Sequence, residues 1–102
     1  MFSIYQVTNA VNSKKYIGQT LQNVSRYFRS DITRALKENG DRKPKYYNAI
    51  RKHGPDKFHI ETIALTSTKY DADKIEKFFI KRFDTQESGY NIADGGGGSF
   101  GY

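Results

Sequence analysis

Two tyrosines sit in short matched motifs near the start of the chain, Ser3-Ile4-Tyr5 and Tyr16-Ile17-Gly18. Arg26 follows Gly18 by eight residues, and Glu76 comes fifty residues later. Glu76 falls in a helical pattern. At ~100° per residue it lies about 40° from Ala72, 20° from Phe83 and 60° from Phe79, so it borders the apolar face. Its helix neighbours at three and four residues are Ala72, Asp73, Phe79 and Ile80, none of them a cation, and Asp73 repels it. A carboxylate in that setting calls for a metal ion, an arginine or water. Each residue taken singly also has an ordinary reading: strand aromatics for the tyrosines, a solvated carboxylate for Glu76.

The elements that position these residues can be read from pattern and punctuation. Residues 2–8 and 15–19 are rich in β-branched and aromatic types and read as a hairpin with a five-residue loop through Asn9, Asn12 and Ser13. Asn23 is an N-cap for a helix from Val24 to about Glu38, with Val24, Phe28, Ile32, Ala35 and Leu36 as its apolar stripe. Arg26, Ser30, Thr33 and Lys37 share another face. Asn39-Gly40 stops that helix, a basic loop with Arg42, Lys43 and Lys45 follows, and Pro44 opens a second helix through about His53. Gly54-Pro55 ends it. Residues 57–65 form a third strand, and Thr68 with Asp71 caps a third helix from about Lys69 to Phe83.

The whole is one domain of 102 residues with 15% aromatic content, enough for a packed core. There is no cysteine, which excludes a disulfide scaffold, a Cys-ligated zinc and thiol catalysis, and fits a reducing cytosol. No apolar run approaches membrane-spanning length, so no membrane partner is expected. The net charge of +6 is uneven: +4 in residues 1–40, +4 in 41–60 and −2 in 61–102. A basic first half points to a polyanion, most simply nucleic acid, or to a plain soluble basic surface. Five of the nine glycines lie in residues 95–102, the composition of a flexible linker, so the expected division is a domain over 1–94 and a tail over 95–102.

The paired tyrosine motifs, Arg26, Glu76 and Gly89-Tyr90-Asn91-Ile92-Ala93 together resemble the GIY-YIG nuclease catalytic domain, particularly that of phage-type homing endonucleases. Lys52-His53-Gly54 with Phe58, and Glu76-Lys77-Phe78-Phe79-Ile80-Lys81, are similar to that group as well. The resemblance implies an α+β fold, a small antiparallel three-stranded sheet flanked by helices. It implies a metal-dependent endonuclease that hydrolyses DNA phosphodiesters with one Mg²⁺ (or Mn²⁺). Carried over by position, Tyr5 is the general base, Tyr16 the second motif tyrosine, Arg26 the phosphate-binding residue, Glu76 the metal ligand and Asn91 the polar residue near the domain end. Forming phenolate at pH 7 from a phenol of pKa ~10 costs ~4 kcal/mol, so Arg26, Lys14, Lys15 and the metal are expected to lower that cost at Tyr5. Lys14, Lys15, Arg29, Arg34, Arg42, Lys43 and Lys45 are the cations expected to meet DNA phosphates.

Two positions depart from the family pattern. Ser3 replaces its first glycine, and Ser30 stands where many relatives carry histidine, with Arg29, Lys14 or Lys15 as the cations to compensate. The resemblance further implies a cytoplasmic protein, in a host cell if phage-encoded, monomeric in isolation, with a DNA-binding region beyond the glycine tail. The alternative is a non-catalytic basic nucleic-acid-binding module that keeps the fold. A structural domain with a merely basic surface is the third reading.

Overall fold

The computed structural model describes residues 1–37 and 43–92. Glu38, Asn39-Gly40, Arg42, Ala93 and the glycine tail lie outside the described residues. The element order is β1 (Phe2–Asn9), β2 (Lys15–Thr20), α1 (Val24–Lys37), α2 (Pro44–His53), a 3₁₀ turn (Pro55–Lys57), β3 (Phe58–Thr66), α3 (Lys69–Phe83) and a short α4 (Thr85–Ser88). The expected strand and helix series is present in order, and α4 is an addition to it. Among the described residues no helix is long and apolar enough to cross a membrane.

The three strands form one antiparallel sheet in the order β2-β1-β3. Alternation along β1 sends Ile4 to one face and Tyr5 and Val7 to the other. On the second face, Tyr5 and Val7 pack with Tyr27 and Ala35 of α1 and Tyr46, Tyr47 and Ile50 of α2. On the first, Ile4 and Ile17 pack with Ala72 and Ile80 of α3. The sheet is therefore covered on both faces, and β2 is an edge strand lying between the two helical layers.

Local chemistry fixes the ends. The Asn9 and Asn12 side chains accept from the backbone N–H of Val11 and Lys14, which shapes the hairpin loop. Asn23 Oδ1 accepts from Arg26 N at 3.0 Å and caps α1. Thr68 Oγ1 accepts from Asp71 N at 3.1 Å and caps α3. Gly54 follows α2 at φ 91°, a backbone conformation that favours glycine.

The buried seam of α1 differs from the apolar stripe read from sequence. Tyr27, Asp31 and Ala35 are buried, Val24, Phe28 and Ile32 are half-buried, and Leu36 is exposed. The helix is rotated towards a polar partner: Asp31 enters the core because Lys43 and Tyr47 meet it there.

Candidate active site at the edge of β2

Antiparallel pairing sets Tyr5 opposite Gly18 and Val7 opposite Tyr16. Tyr5 and Tyr16 thus share one face of the hairpin, with ring centroids 6.3 Å apart. The Tyr5 phenol lies over Gly18. A Cβ at that glycine would sit 2.5 Å from the Tyr5 hydroxyl, so the glycine of the second motif is the space that holds the tyrosine of the first. Tyr16 stacks on Tyr46, centroids 4.3 Å apart and planes within 4°. Tyr27 meets Tyr5 edge-on at 6.0 Å.

The two motif tyrosines are not equivalent. Tyr5 is 1% exposed, whereas Tyr16 is half-buried and keeps contact with the surface. Both phenols are held well above the ordinary tyrosine range. Burial is the main cause in each, followed by Tyr16, Tyr46 and Asp31 at Tyr5, and by Asp31 and Glu76 at Tyr16. This corrects the expectation that Arg26, Lys14 and Lys15 lower the cost of a Tyr5 phenolate. Lys15 Nζ donates to Thr8 Oγ1 and lies over the Phe83 ring, and Lys14 is exposed at the hairpin loop.

Glu76 approaches from the other layer. Gln19, one residue past Gly18, points to the α3 face and donates its Nε2 to Glu76 at 2.7 Å and to Asp73 at 2.9 Å. Gln19 is 3% exposed, and its Oε1 is buried without a hydrogen-bond partner. Asp73 also pairs with Lys69. Gln19 thereby ties α3 to the edge strand.

Arg26 begins an open groove of about 490 Å³ along the outer face of α1, lined with Arg29, Ser30, Thr33 and Arg34. The spacing of these residues places them on one helical face. Three of the five lining residues are arginines, whose guanidinium groups suit phosphate oxygens. Arg29 and Arg34 are exposed.

Three expected site residues are placed differently. Lys43 is not on the surface: it is 7% exposed and ion-paired at 3.3 Å with Asp31, which is itself fully buried. Lys45 is exposed, yet its Nζ donates to the carbonyls of Gln86 and Asn91, which ties α2 to α4 and to the chain that follows it. Asn91 is buried, and its side chain bonds both backbone groups of Ile17. Its Oδ1 accepts from Ile17 N, and its Nδ2 donates to Ile17 O, each at 2.9 Å. Tyr90 N adds a bond to Lys15 O at 2.9 Å. Residues 89–91 therefore pair with the outer edge of β2 and hold it in place, a scaffold task where a chemical one was expected.

Sequence reasoning missed Gln19, Asp31, Tyr46 and Tyr47. A signal existed for Tyr46: it and Ile50 are one helical turn apart in a helix opened by Pro44. None marked Asp31, whose partner Lys43 is twelve residues away and in another element.

Comparison with known proteins agrees with this geometry. The model of the GIY-YIG catalytic domain matches residues 1–91, and the chain belongs to that family. The catalytic domain of the intron endonuclease I-TevI, in a form carrying a glutamate-to-alanine substitution, is a solved structure similar to it. The TM-score is 0.81 at 27% identity, over 92% of this chain and 96% of that one. A second structure, of the catalytic domain of the homing endonuclease I-TevI, gives 0.74 at 26% identity over 91% and 99%. No curated protein sequence matches the chain. The chain is accordingly a GIY-YIG nuclease domain, structurally like the I-TevI catalytic domain, and the three-stranded α+β fold implied by its motifs is the fold observed.

Proposed function

We propose that the chain hydrolyses DNA phosphodiesters at the edge of β2, with Glu76 holding one divalent cation. The observation that carries this reading is Glu76 held against β2 by Gln19, the residue after the second tyrosine motif, at 2.7 Å, within a family match that spans residues 1–91.

The donors fit a hard cation. Among the described residues no group of three or more His, Cys, Asp or Glu side chains could hold a metal. What α3 turns towards β2 is carboxylate oxygen, from Glu76 and the neighbouring Asp73, both met by Gln19 Nε2. Oxygen ligands with vacancies left to water and substrate phosphate suit Mg²⁺ or Mn²⁺. When bound, such an ion supplies Lewis-acid stabilisation of charge on the scissile phosphate and favours an ionised phenol nearby.

The chain's own residues supply the rest. Gln19 orients the Glu76 carboxylate by donating to it. Arg26 binds phosphate oxygens through its planar fork, and Arg29 and Arg34 extend that contact along the groove to the DNA backbone. The proton of the attacking water goes to a tyrosine of the motif pair. Tyr16 is half-buried where Tyr5 is 1% exposed, so the attacking water reaches Tyr16 first, and its hydroxyl oxygen, ionised beside the cation, takes the proton. Tyr5, buried over Gly18, backs it. This reassigns the role that the resemblance gave to Tyr5.

The test is conversion of supercoiled plasmid by the purified chain in Mg²⁺ or Mn²⁺ and in EDTA. Metal-dependent nicking or linearisation is expected. DNA retention without cleavage under any metal would support the basic binding module instead.

A further inference from the structure

Lys43 and Asp31 form a buried ion pair directly behind the tyrosines. Asp31 is fully buried on α1, and Lys43, at the start of α2, is 7% exposed. The ammonium donates to both carboxylate oxygens at 3.3 Å and to the Tyr27 hydroxyl at 3.4 Å. It also lies 4.8 Å from the centroid of the Tyr27 ring and 5.4 Å from that of Tyr16. On the far side of the pair, the Tyr47 hydroxyl donates to Asp31 Oδ1 at 2.8 Å. Three elements, α1, α2 and β2, therefore meet at one ammonium group.

The cost of such an arrangement is the informative point. Removing two charges from water offsets most of what their attraction returns, and apolar pairs of similar volume commonly replace buried ion pairs without loss of stability. Folding alone gives no reason for this pair. What an apolar pair cannot reproduce is direction: an ammonium fixes the hydroxyl of one tyrosine and lies over the faces of two, at set distances. One of those rings is Tyr16, already stacked against Tyr46. The other, Tyr27, is the α1 residue next to Arg26.

We propose that Lys43, anchored by Asp31, is a positioning residue that holds the Tyr16 and Tyr27 rings in register for cleavage. It does not contact DNA. The proposal rests on the nuclease reading above and adds to it a device inside the core on which the chemical step depends.

The decisive variant replaces both charges together, Lys43→Met with Asp31→Leu, so that no lone charge is left in the core. Four quantities are compared with the wild-type chain: melting temperature, DNA affinity in EDTA, single-turnover cleavage at saturating protein, and the ring ¹H–¹³C NMR signals of the tyrosines. The expected pattern is a folded protein that melts within several degrees of wild type, since the Tyr47 hydroxyl loses its acceptor, with unchanged DNA affinity and a saturated rate lower by about tenfold or more. Shifts should be concentrated in the Tyr16 and Tyr27 rings. In a Tyr16→Phe background the same double substitution should cost less than about twofold, because residues acting on one step are not additive. A wild-type rate in the folded double variant overturns the proposal. So does a variant that fails to fold, which makes the pair a structural requirement, and so does a full additive loss in the Tyr16→Phe background. The ring shifts do not depend on activity. Absence of cleavage by the wild-type chain sinks the nuclease reading itself, and with it the need for any positioning device.

Discussion

Gly18→Ala probes the link between fold and site with a single methyl group. Its Cβ would stand 2.5 Å from the Tyr5 hydroxyl, 2.6 Å from the adjacent ring carbon and 3.1 Å from a ring carbon of Tyr16. Non-bonded carbons prefer ~3.5–4.0 Å, so the Tyr5 ring must move by roughly 1 Å. It has little room to do so, since Tyr5 is 1% exposed and walled by Tyr16 and Tyr27. Overpacking of this kind costs ~1–3 kcal/mol. Replacing a strand glycine returns ~0.5–1 kcal/mol of backbone entropy. A net loss of ~1.5 kcal/mol lowers the melting temperature by ~6–12 °C for a domain near this size. Cleavage should fall with it, because Tyr16 is displaced too. Calorimetry or circular dichroism melts read the first effect, and single-turnover cleavage below the melting range reads the second. Tyr5→Phe in the Gly18→Ala background removes the nearest atom and should recover part of the stability while leaving the ring contact. A Gly18→Ala protein that melts with wild type, or a loss indifferent to residue 5, would refute the packing argument.

Other expected outcomes concern the reacting groups. Tyr16→Phe should reduce single-turnover cleavage by ~10²-fold with little change in melting, and more than Tyr5→Phe does, since only Tyr16 reaches the surface; equal losses would return Tyr5 to the acceptor role. Arg26→Ala should lower turnover by ~10²–10³-fold at saturating DNA, by analogy with the loss of an oxyanion donor. A defect cured by more DNA would make Arg26 an anchor only. Tyr5, Tyr16 and Tyr46 keep their protons in the folded state above the ordinary tyrosine range, chiefly through burial. The unfolded chain loses them near pH ~10, so the folded state then binds more protons and the stability they contribute, full below that pH, declines above it. Melting temperatures measured from pH 8 to 11.5 should be level at first and drop beyond pH ~10.

The fold was legible where punctuation is local. Asn23, Pro44, Gly54 and Thr68 bound the helices where their backbone chemistry requires, and the alternation around Tyr5 and Tyr16 sets the hairpin register. The positions of Tyr16, Arg26 and Glu76 were likewise readable as a series along the chain. Electrostatics and long-range pairing were not. A lysine in a basic loop is ordinarily solvated, and nothing in the neighbourhood of Lys43 reveals that a carboxylate on α1 draws it into the core. Asn91 reads as a polar terminal residue, and only the folded chain shows it pairing with Ile17, 74 residues earlier. Gln19 was one residue from a motif, yet its value comes from the strand pleat that turns it towards α3.

The account rests most heavily on Glu76 as the cation's ligand at the edge of β2. The measurement is plasmid cleavage in Mg²⁺ and Mn²⁺ by wild type and Glu76→Ala at matched concentration, with melting curves and Mn²⁺ binding by electron paramagnetic resonance on the same samples. The account predicts a Glu76→Ala protein that folds and holds DNA, binds Mn²⁺ weakly and does not cleave in either metal. Wild-type cleavage by that folded variant, or undiminished Mn²⁺ binding, would contradict it.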